Sequence, residues 1–233
     1  MIKAIIFDFG QTLVDSSEGF RAAEREAEKV LFHFLGKISW DTFLATYRQL
    51  RRDLHEQSNF SRQDLFRGVC KSFNRETETE NLVQWENLYW NRVRASTTLF
   101  PDTLEILSRL RSSYRLGMIT NTQGQSPSVK HRLTAIPELS AFFETIVVAG
   151  EGGIPPKPHP HPFRVCLERM KLRPEEALYV GDDWYIDVLG ARGAGMRVVW
   201  LQHESVRRNW PSGDGGTPII TRLGDLLSID QLL

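Results

Sequence analysis

The apolar run Ala4-Ile5-Ile6-Phe7 stops at Asp8, and Phe9-Gly10-Gln11-Thr12 follow it. A short apolar run bounded by turn-forming residues reads as a buried parallel strand. Open α/β sheets bind their ligands just outside the carboxyl ends of such strands. Asp8 therefore stands where a nucleophile or metal ligand belongs, although an Asp after a strand also commonly caps the next turn or helix. Thr120-Asn121-Thr122, with Gly124 close behind, offers hydroxyl and backbone N–H donors after another apolar run. Such groups suit phosphate oxygens, or else an ordinary helix cap in a β–α turn. In Pro155-Pro156-Lys157-Pro158-His159-Pro160 the prolines stiffen an extended loop around one lysine, which makes it an anion holder. Last, Gly181-Asp182-Asp183-Trp184-Tyr185-Ile186-Asp187 puts three carboxylates within six residues. They repel one another unless a cation lies among them, and with only oxygen ligands on offer a hard ion such as Mg²⁺ is the natural occupant. Capping by Asp182 or Asp183 and a solvated first-turn charge at Asp187 explain one or two of the three carboxylates more easily than all of them.

The elements that must position these groups are legible as a pattern. Strand-like runs recur at Ala4–Phe7, Arg115–Ile119, Thr145–Ala149, Ala177–Val180, Arg197–Leu201 and Pro218–Ile220. Helical patterns lie between them at Pro101–Ser113, His161–Met170 and Asp187–Gly193. Strands alternating with helices predict an α/β fold with a doubly wound parallel sheet. The stretch from Asp15 to Thr98 breaks the alternation, because it carries helical periodicity and no convincing strand. Phe20, Ala23, Ala27, Val30, Leu31 and Phe34 recur at helical spacing, with Gly36 as a stop, and Phe43, Tyr47, Leu50 and Leu54 repeat the pattern. Further helices are predicted over Arg62–Asn74 and Glu80–Arg94, so residues 15–98 form an inserted helical bundle and residues 1–14 and 99–233 the core.

Composition narrows the function classes. The 233 residues carry 29 Lys plus Arg and 29 Asp plus Glu, so no global basic field draws the chain to nucleic acid or a membrane surface. A small polar substrate or a protein partner is expected instead. Cys70 and Cys166 have no C-x-x-C spacing and imply neither a thiolate metal site nor a disulfide framework. The apolar start is too short for a signal peptide or a membrane span, so a cytoplasmic location is expected. The surface carries no clear oligomer signal, consistent with a monomer or weak homodimer. Trp184, Tyr185, Trp200 and Trp210 are read as amphipathic residues near a core, and His203, Glu204, Arg207 and Arg208 as solvated loop surface.

Asp8, Thr120, Lys157 and the pair Asp182 and Asp187 resemble, in order and after the right strands, the four motifs of the haloacid dehalogenase superfamily. The resemblance spans nearly the whole chain and implies a Rossmann-like core with residues 15–98 as a helical cap of the subfamily IA kind. It also implies a cap that swings over the site on hinges near Asp15 and Thr98, and an Mg²⁺-dependent phosphatase acting on a small phosphorylated metabolite. Asp8 would form an aspartyl phosphate. Mg²⁺ would be held by Asp8, the Gly10 carbonyl and Asp182. Thr120, Asn121 and Lys157 would bind phosphoryl oxygens, and Asp187, with Asp183 sharing the role, would orient Lys157 or a metal-bound water. The chain departs from the pattern at Gly10, where phosphatases of the family usually carry the Asp that protonates the leaving oxygen, and at Gln11, where Gly is more usual. Losing a general acid costs about 10²- to 10⁴-fold in rate. Asp15 and His159 are conceivable substitutes, and a phosphoanhydride, acyl phosphate or phosphonate would make the loss less costly. The departure keeps three alternatives open: a 2-haloacid dehalogenase, a phosphonatase using a cap lysine such as Lys29 or Lys37, and a weakly catalytic binding module.

Overall fold

The computed structural model describes residues 1–57, 59–127, 129–206 and 209–231. Six parallel strands form one sheet, in the order β5-β4-β1-β6-β7-β8. They are β1 (Ala4–Phe7), β4 (Arg115–Asn121), β5 (Thr145–Ala149), β6 (Ala177–Gly181), β7 (Arg197–Leu201) and β8 (Ile219–Ile220). β1 lies in the middle, where the chain first winds outward through β4 and β5 and then returns to wind the other way through β6, β7 and β8. The register sets Phe7 beside both Met118 and Val180, so Asp8, Thr120 and Asp182 leave the sheet at the same edge, at the switch point where such folds form their crevice. β1 and β6 are buried along their whole length, as a sheet covered on both faces requires. Phe163, Met170, Tyr179, Val188 and Trp200 are among the residues that fill one side of it.

Helices α5 (Thr103–Arg111), α7 (Pro160–Arg169) and α8 (Leu189–Gly193) accompany the strands, with a short α6 (Pro137–Ser140) before β5. The sequence predicts a helix from Asp187, but the chain instead makes a π-helical turn over Trp184–Val188 before α8. The ends of the insertion, where the sequence shows no convincing strand, carry two short strands. β2 (Val14–Asp15) and β3 (Thr98–Leu99) pair antiparallel and bracket it, with Thr103 Oγ1 donating to the Leu13 carbonyl at 3.0 Å. Runs of two residues are too short to carry a readable period.

The chain divides into two compact units. One comprises residues 1–16, 98–122 and 136–233; the other comprises residues 17–97 and 123–135. The second unit holds α1 (Ser17–Leu35), α2 (Trp40–Glu56), α3 (Arg62–Ser72) and α4 (Thr79–Ala95). Ala23, Ala27 and Leu31 of α1 fall four apart and are buried together with Phe43, Tyr47, Phe66, Trp85, Tyr89 and Trp90. Gly36 ends α1 at φ 80°, the left-handed conformation a helix stop favours. Ser39 and Ser61 cap α2 and α3, accepting from the amides of Thr42 and Asp64. Residues 123–135, which the sequence assigns to the core, belong with these helices. Val129 joins their apolar cluster, and Ser126 donates through both N and Oγ to the buried Glu86, at 2.8 and 2.7 Å.

Among the aromatic residues Trp184 and Trp200 are buried, their ring centroids 4.8 Å apart, and Trp210 packs edge-on against Trp200. Tyr185 is exposed. His203 corrects the sequence reading: it is buried, stacked on Phe100 at 3.7 Å between centroids, with Nδ1 accepting from the Ser205 amide. Glu204 lies on the surface, paired with Arg222; Arg207 and Arg208 lie outside the described residues. The two thiols, Cys70 and Cys166, are free and buried, and burial pushes them up to about 11 and about 12. No described helix is long and apolar enough to cross a membrane.

Candidate active site

Asp8 is the first residue past β1. Its amide still donates to the Val180 carbonyl at 2.9 Å, which fixes its backbone to the sheet. Its carboxylate meets Lys157. Nζ of that buried lysine lies 2.6 Å from Asp8 Oδ1, 2.7 Å from Asp187 Oδ1, 2.9 Å from Tyr179 Oη and 3.1 Å from the Ile119 carbonyl. One ammonium thus bridges two carboxylates that come from separate strands. The lysine is held by its backbone as much as by its charge, because Asn121 Oδ1 accepts from the Lys157 amide at 2.9 Å and Asn121 Nδ2 donates to the Lys157 carbonyl at 3.1 Å.

The electrostatics follow from this geometry. Burial pushes the Asp8 carboxyl up to about 6; Lys157 opposes the rise and Asp187 adds to it. Burial alone would depress Lys157, but the Asp187 and Asp8 carboxylates outweigh it and hold the ammonium above its ordinary range. Burial, Asp187 and Asp8 likewise keep Tyr179 protonated. Its hydroxyl donates to Asp187 Oδ1 at 3.1 Å.

After β6 the chain turns tightly. Gly181 is needed there, since a Cβ would lie 2.5 Å from both Cβ and Cγ of Asp187. Asp182 is buried and its carbonyl accepts from Trp200 Nε1 at 2.9 Å. Asp183 meets Asp187 through its backbone and not through its carboxylate. Its carboxylate caps the π-helical turn, accepting from the amides of Tyr185 and Ile186, and its own amide donates to Asp187 Oδ2 at 3.0 Å. Asp187 is 1% exposed, which removes the reading of a solvated first-turn charge.

The Asn121 side chain clasps the lysine backbone. Thr120 is buried, and the acceptor recorded for its hydroxyl, the Asn121 carbonyl, lies 3.5 Å away, beyond a good hydrogen bond. That leaves Oγ1 uncommitted. Gln11 sits at φ 60°, the left-handed region that explains why Gly is the more usual residue there, and its Oε1 accepts from the Ser16 amide at 3.0 Å. Of the two substitutes considered for the missing acid, His159 is exposed and spends Nδ1 capping α7, and Asp15 lies in β2 opposite Thr98. Lys29 and Lys37 are exposed on the helical unit. The sequence left Tyr179 and Gly181 without roles; a Tyr inside an otherwise aliphatic buried strand was the available signal for the former.

Oxygens of Asp8, Asp182 and Asp187 lie within 4.8 Å of one another. Lys157, Tyr179 and the Asp183 amide occupy Asp187, whereas Asp8 meets Lys157 through Oδ1. Three buried carboxylates against one ammonium leave excess negative charge. The donor set, all oxygen, fits Mg²⁺.

Residues 2–195 match the sequence profile of the haloacid dehalogenase-like hydrolases. The chain is 29% identical over 205 residues to glyceraldehyde 3-phosphate phosphatase of Pyrococcus abyssi, which covers 87% of this chain and 82% of that protein. It is 28% identical over 213 residues to pyrophosphatase PpaX of Bacillus velezensis, covering 85% and 84%. A 2-haloacid dehalogenase structure from Pseudomonas syringae superposes with a TM-score of 0.71 at 25% identity over 99% of both chains.

Proposed function

The chain belongs to the haloacid dehalogenase-like hydrolases, and from that premise we propose that it is an Mg²⁺-dependent phosphohydrolase acting on a small phosphorylated metabolite. The observation that carries the reading is the Lys157 ammonium bridging Asp8 and Asp187, with Asp182 close by, at the carboxyl edge of the sheet. The named phosphatase and pyrophosphatase relatives support the same reaction class.

In this reading an Asp8 carboxylate oxygen attacks phosphorus, the bond to the leaving oxygen breaks, and an aspartyl phosphate forms. Water then attacks phosphorus, the bond to Asp8 breaks, and phosphate leaves with the carboxylate restored. Asp8, Asp182 and the Gly10 carbonyl would hold Mg²⁺. When bound, the ion neutralises charge between an anionic nucleophile and an anionic phosphoryl group. Thr120 Oγ1 donates to a phosphoryl oxygen, and Lys157 turns one N–H toward another from its longest bond, that to Ile119. Asp187 and Asn121 keep the ammonium in place, by charge and by backbone. The helical unit serves as the cap that excludes water.

Gly10 shapes the substrate range. With no carboxyl two residues after the nucleophile, the leaving oxygen departs unprotonated, so phosphoanhydrides and acyl phosphates react faster than alkyl phosphates. Pyrophosphate, the compound named for the Bacillus relatives, is of the favoured kind.

The test is hydrolysis of p-nitrophenyl phosphate and acetyl phosphate with and without Mg²⁺, beside Asp8→Asn. Both substrates have good leaving groups, so neither depends on the missing acid. Metal-dependent turnover lost in Asp8→Asn supports the reading. No turnover on either compound, with chloride release from 2-chloropropionate in the absence of metal, replaces it with a dehalogenase.

A further inference from the structure

The helical unit contains a cavity of about 470 Å³ whose wall carries Arg21, Arg25, Arg48, Arg51, Arg62 and His55. Only two carboxylates face it, Glu24 and Glu28. Arg21 and Arg25 bond to Glu18 at the rim, in exposed pairs that contribute little. The inner wall is different. Arg62 is more than nine-tenths buried, in the first turn of α3, with its guanidinium 4.4 Å from the Tyr89 ring centroid. Glu24 is its nearest counter-charge, yet Nη1 stands 3.8 Å from Oε2, and the Arg62 Nε has no hydrogen-bond partner. Glu24 forms an ion pair with Arg51 at 2.7 Å through Oε1, which has no hydrogen-bond partner, and accepts from the Tyr89 hydroxyl at 3.2 Å through Oε2.

Two guanidiniums that cannot deprotonate therefore share one carboxylate, Arg51 from a partly exposed position and Arg62 from a buried one. A buried charge such as that of Arg62 requires a partner. The second carboxylate is the weaker counter-charge, because burial and the neighbouring Glu24 raise the Glu28 carboxyl above its ordinary range. On the same wall burial, Arg62 and Arg51 lower His55, as an excess of positive charge requires.

We propose that this cavity is a binding site for a small organic oxyanion, a carboxylate or phosphate seated on Arg62 and Arg51. The planar fork suits a two-oxygen acceptor, and Phe20 and Tyr89 give the ligand an apolar wall. The ligand is a separate effector, held wholly by residues of the helical unit. The site does not depend on the chemistry at Asp8.

The experiment is calorimetric titration of succinate into the full chain without Mg²⁺, for wild type, Arg62→Met, Glu24→Gln and, as a control on the core site, Thr120→Val. The expected result is saturable binding that Arg62→Met weakens by about 10-fold or more, that Glu24→Gln tightens by freeing Arg51, and that Thr120→Val leaves unchanged. Absence of binding below about 10 mM in the wild type, or equal affinity in wild type and a folded Arg62→Met, overturns the proposal. If Arg62→Met does not fold, Glu24→Gln decides, and an unchanged affinity there overturns it. Succinate that alters kcat without competing with p-nitrophenyl phosphate supports the effector, and succinate whose whole effect is competition that Thr120→Val abolishes overturns it.

Discussion

One backbone position bears on both the proposed chemistry and its limits. Gly10 stands two residues after Asp8, the proposed nucleophile, and offers no proton, and its φ lies outside the left-handed range. Gly10→Asp is therefore expected to raise kcat on alkyl monophosphates by about 10- to 10³-fold. It leaves acetyl phosphate hydrolysis within a few-fold, because that leaving group needs no proton. Steady-state kinetics on the two substrate classes check the prediction, and a uniform change across both refutes the role assigned to the position. The same scale shows what sequence reading reaches. Asp8 was legible because it closes an apolar run, Lys157 because prolines flank it on both sides, and Asp182 and Asp187 because three carboxylates crowd six residues; charge in such settings needs a reason. The bonds of the Asn121 and Asp183 side chains were not legible, because they go to backbone groups, and backbone partners leave no mark in the residue types.

At the scale of elements, the four-part layout depends on how tightly β6 turns into its π-helical segment. Gly181 is the last residue of β6, and Asp187 folds back over it. A methyl group at position 181 meets Asp187 Cβ and Cγ at 2.5 Å, a separation that real side chains do not reach. Gly181→Ala must push Asp187 off the lysine. The expected cost is about 1 to 3 kcal/mol of stability, as for overpacking elsewhere, together with loss of most turnover. Denaturant unfolding and activity measured on the same preparation distinguish this from a merely local change, since a variant of wild-type stability and activity rules out the contact. Element positions were otherwise readable: all six sheet strands stand at or within two residues of the expected runs. The π turn was not, because one wide turn disturbs helical periodicity too little to register in five residues.

At the scale of the whole molecule, the chain passes between its two units four times, after residues 16, 97, 122 and 135. The sequence suggests only the first two crossings, since an insertion announces itself by a change of period and residues 123–135 are too short to show one. What commits them to the helical unit is Glu86. This carboxylate is 1% exposed and accepts from Gln63 Nε2 at 2.6 Å as well as from Ser126. It thus ties α3, α4 and the returning segment together. Glu86→Ala deletes a buried acceptor shared by three donors, a loss of about 1 to 3 kcal/mol. Units with separate cores open as separate cooperative blocks. The loss is therefore expected as faster native-state hydrogen exchange in α3, α4 and residues 123–135, with the amides of β1, β4 and β6 unchanged. Uniform acceleration in sheet and helices alike would show that the two cores unfold as one and that the segment's attachment to the helices carries no independent stability.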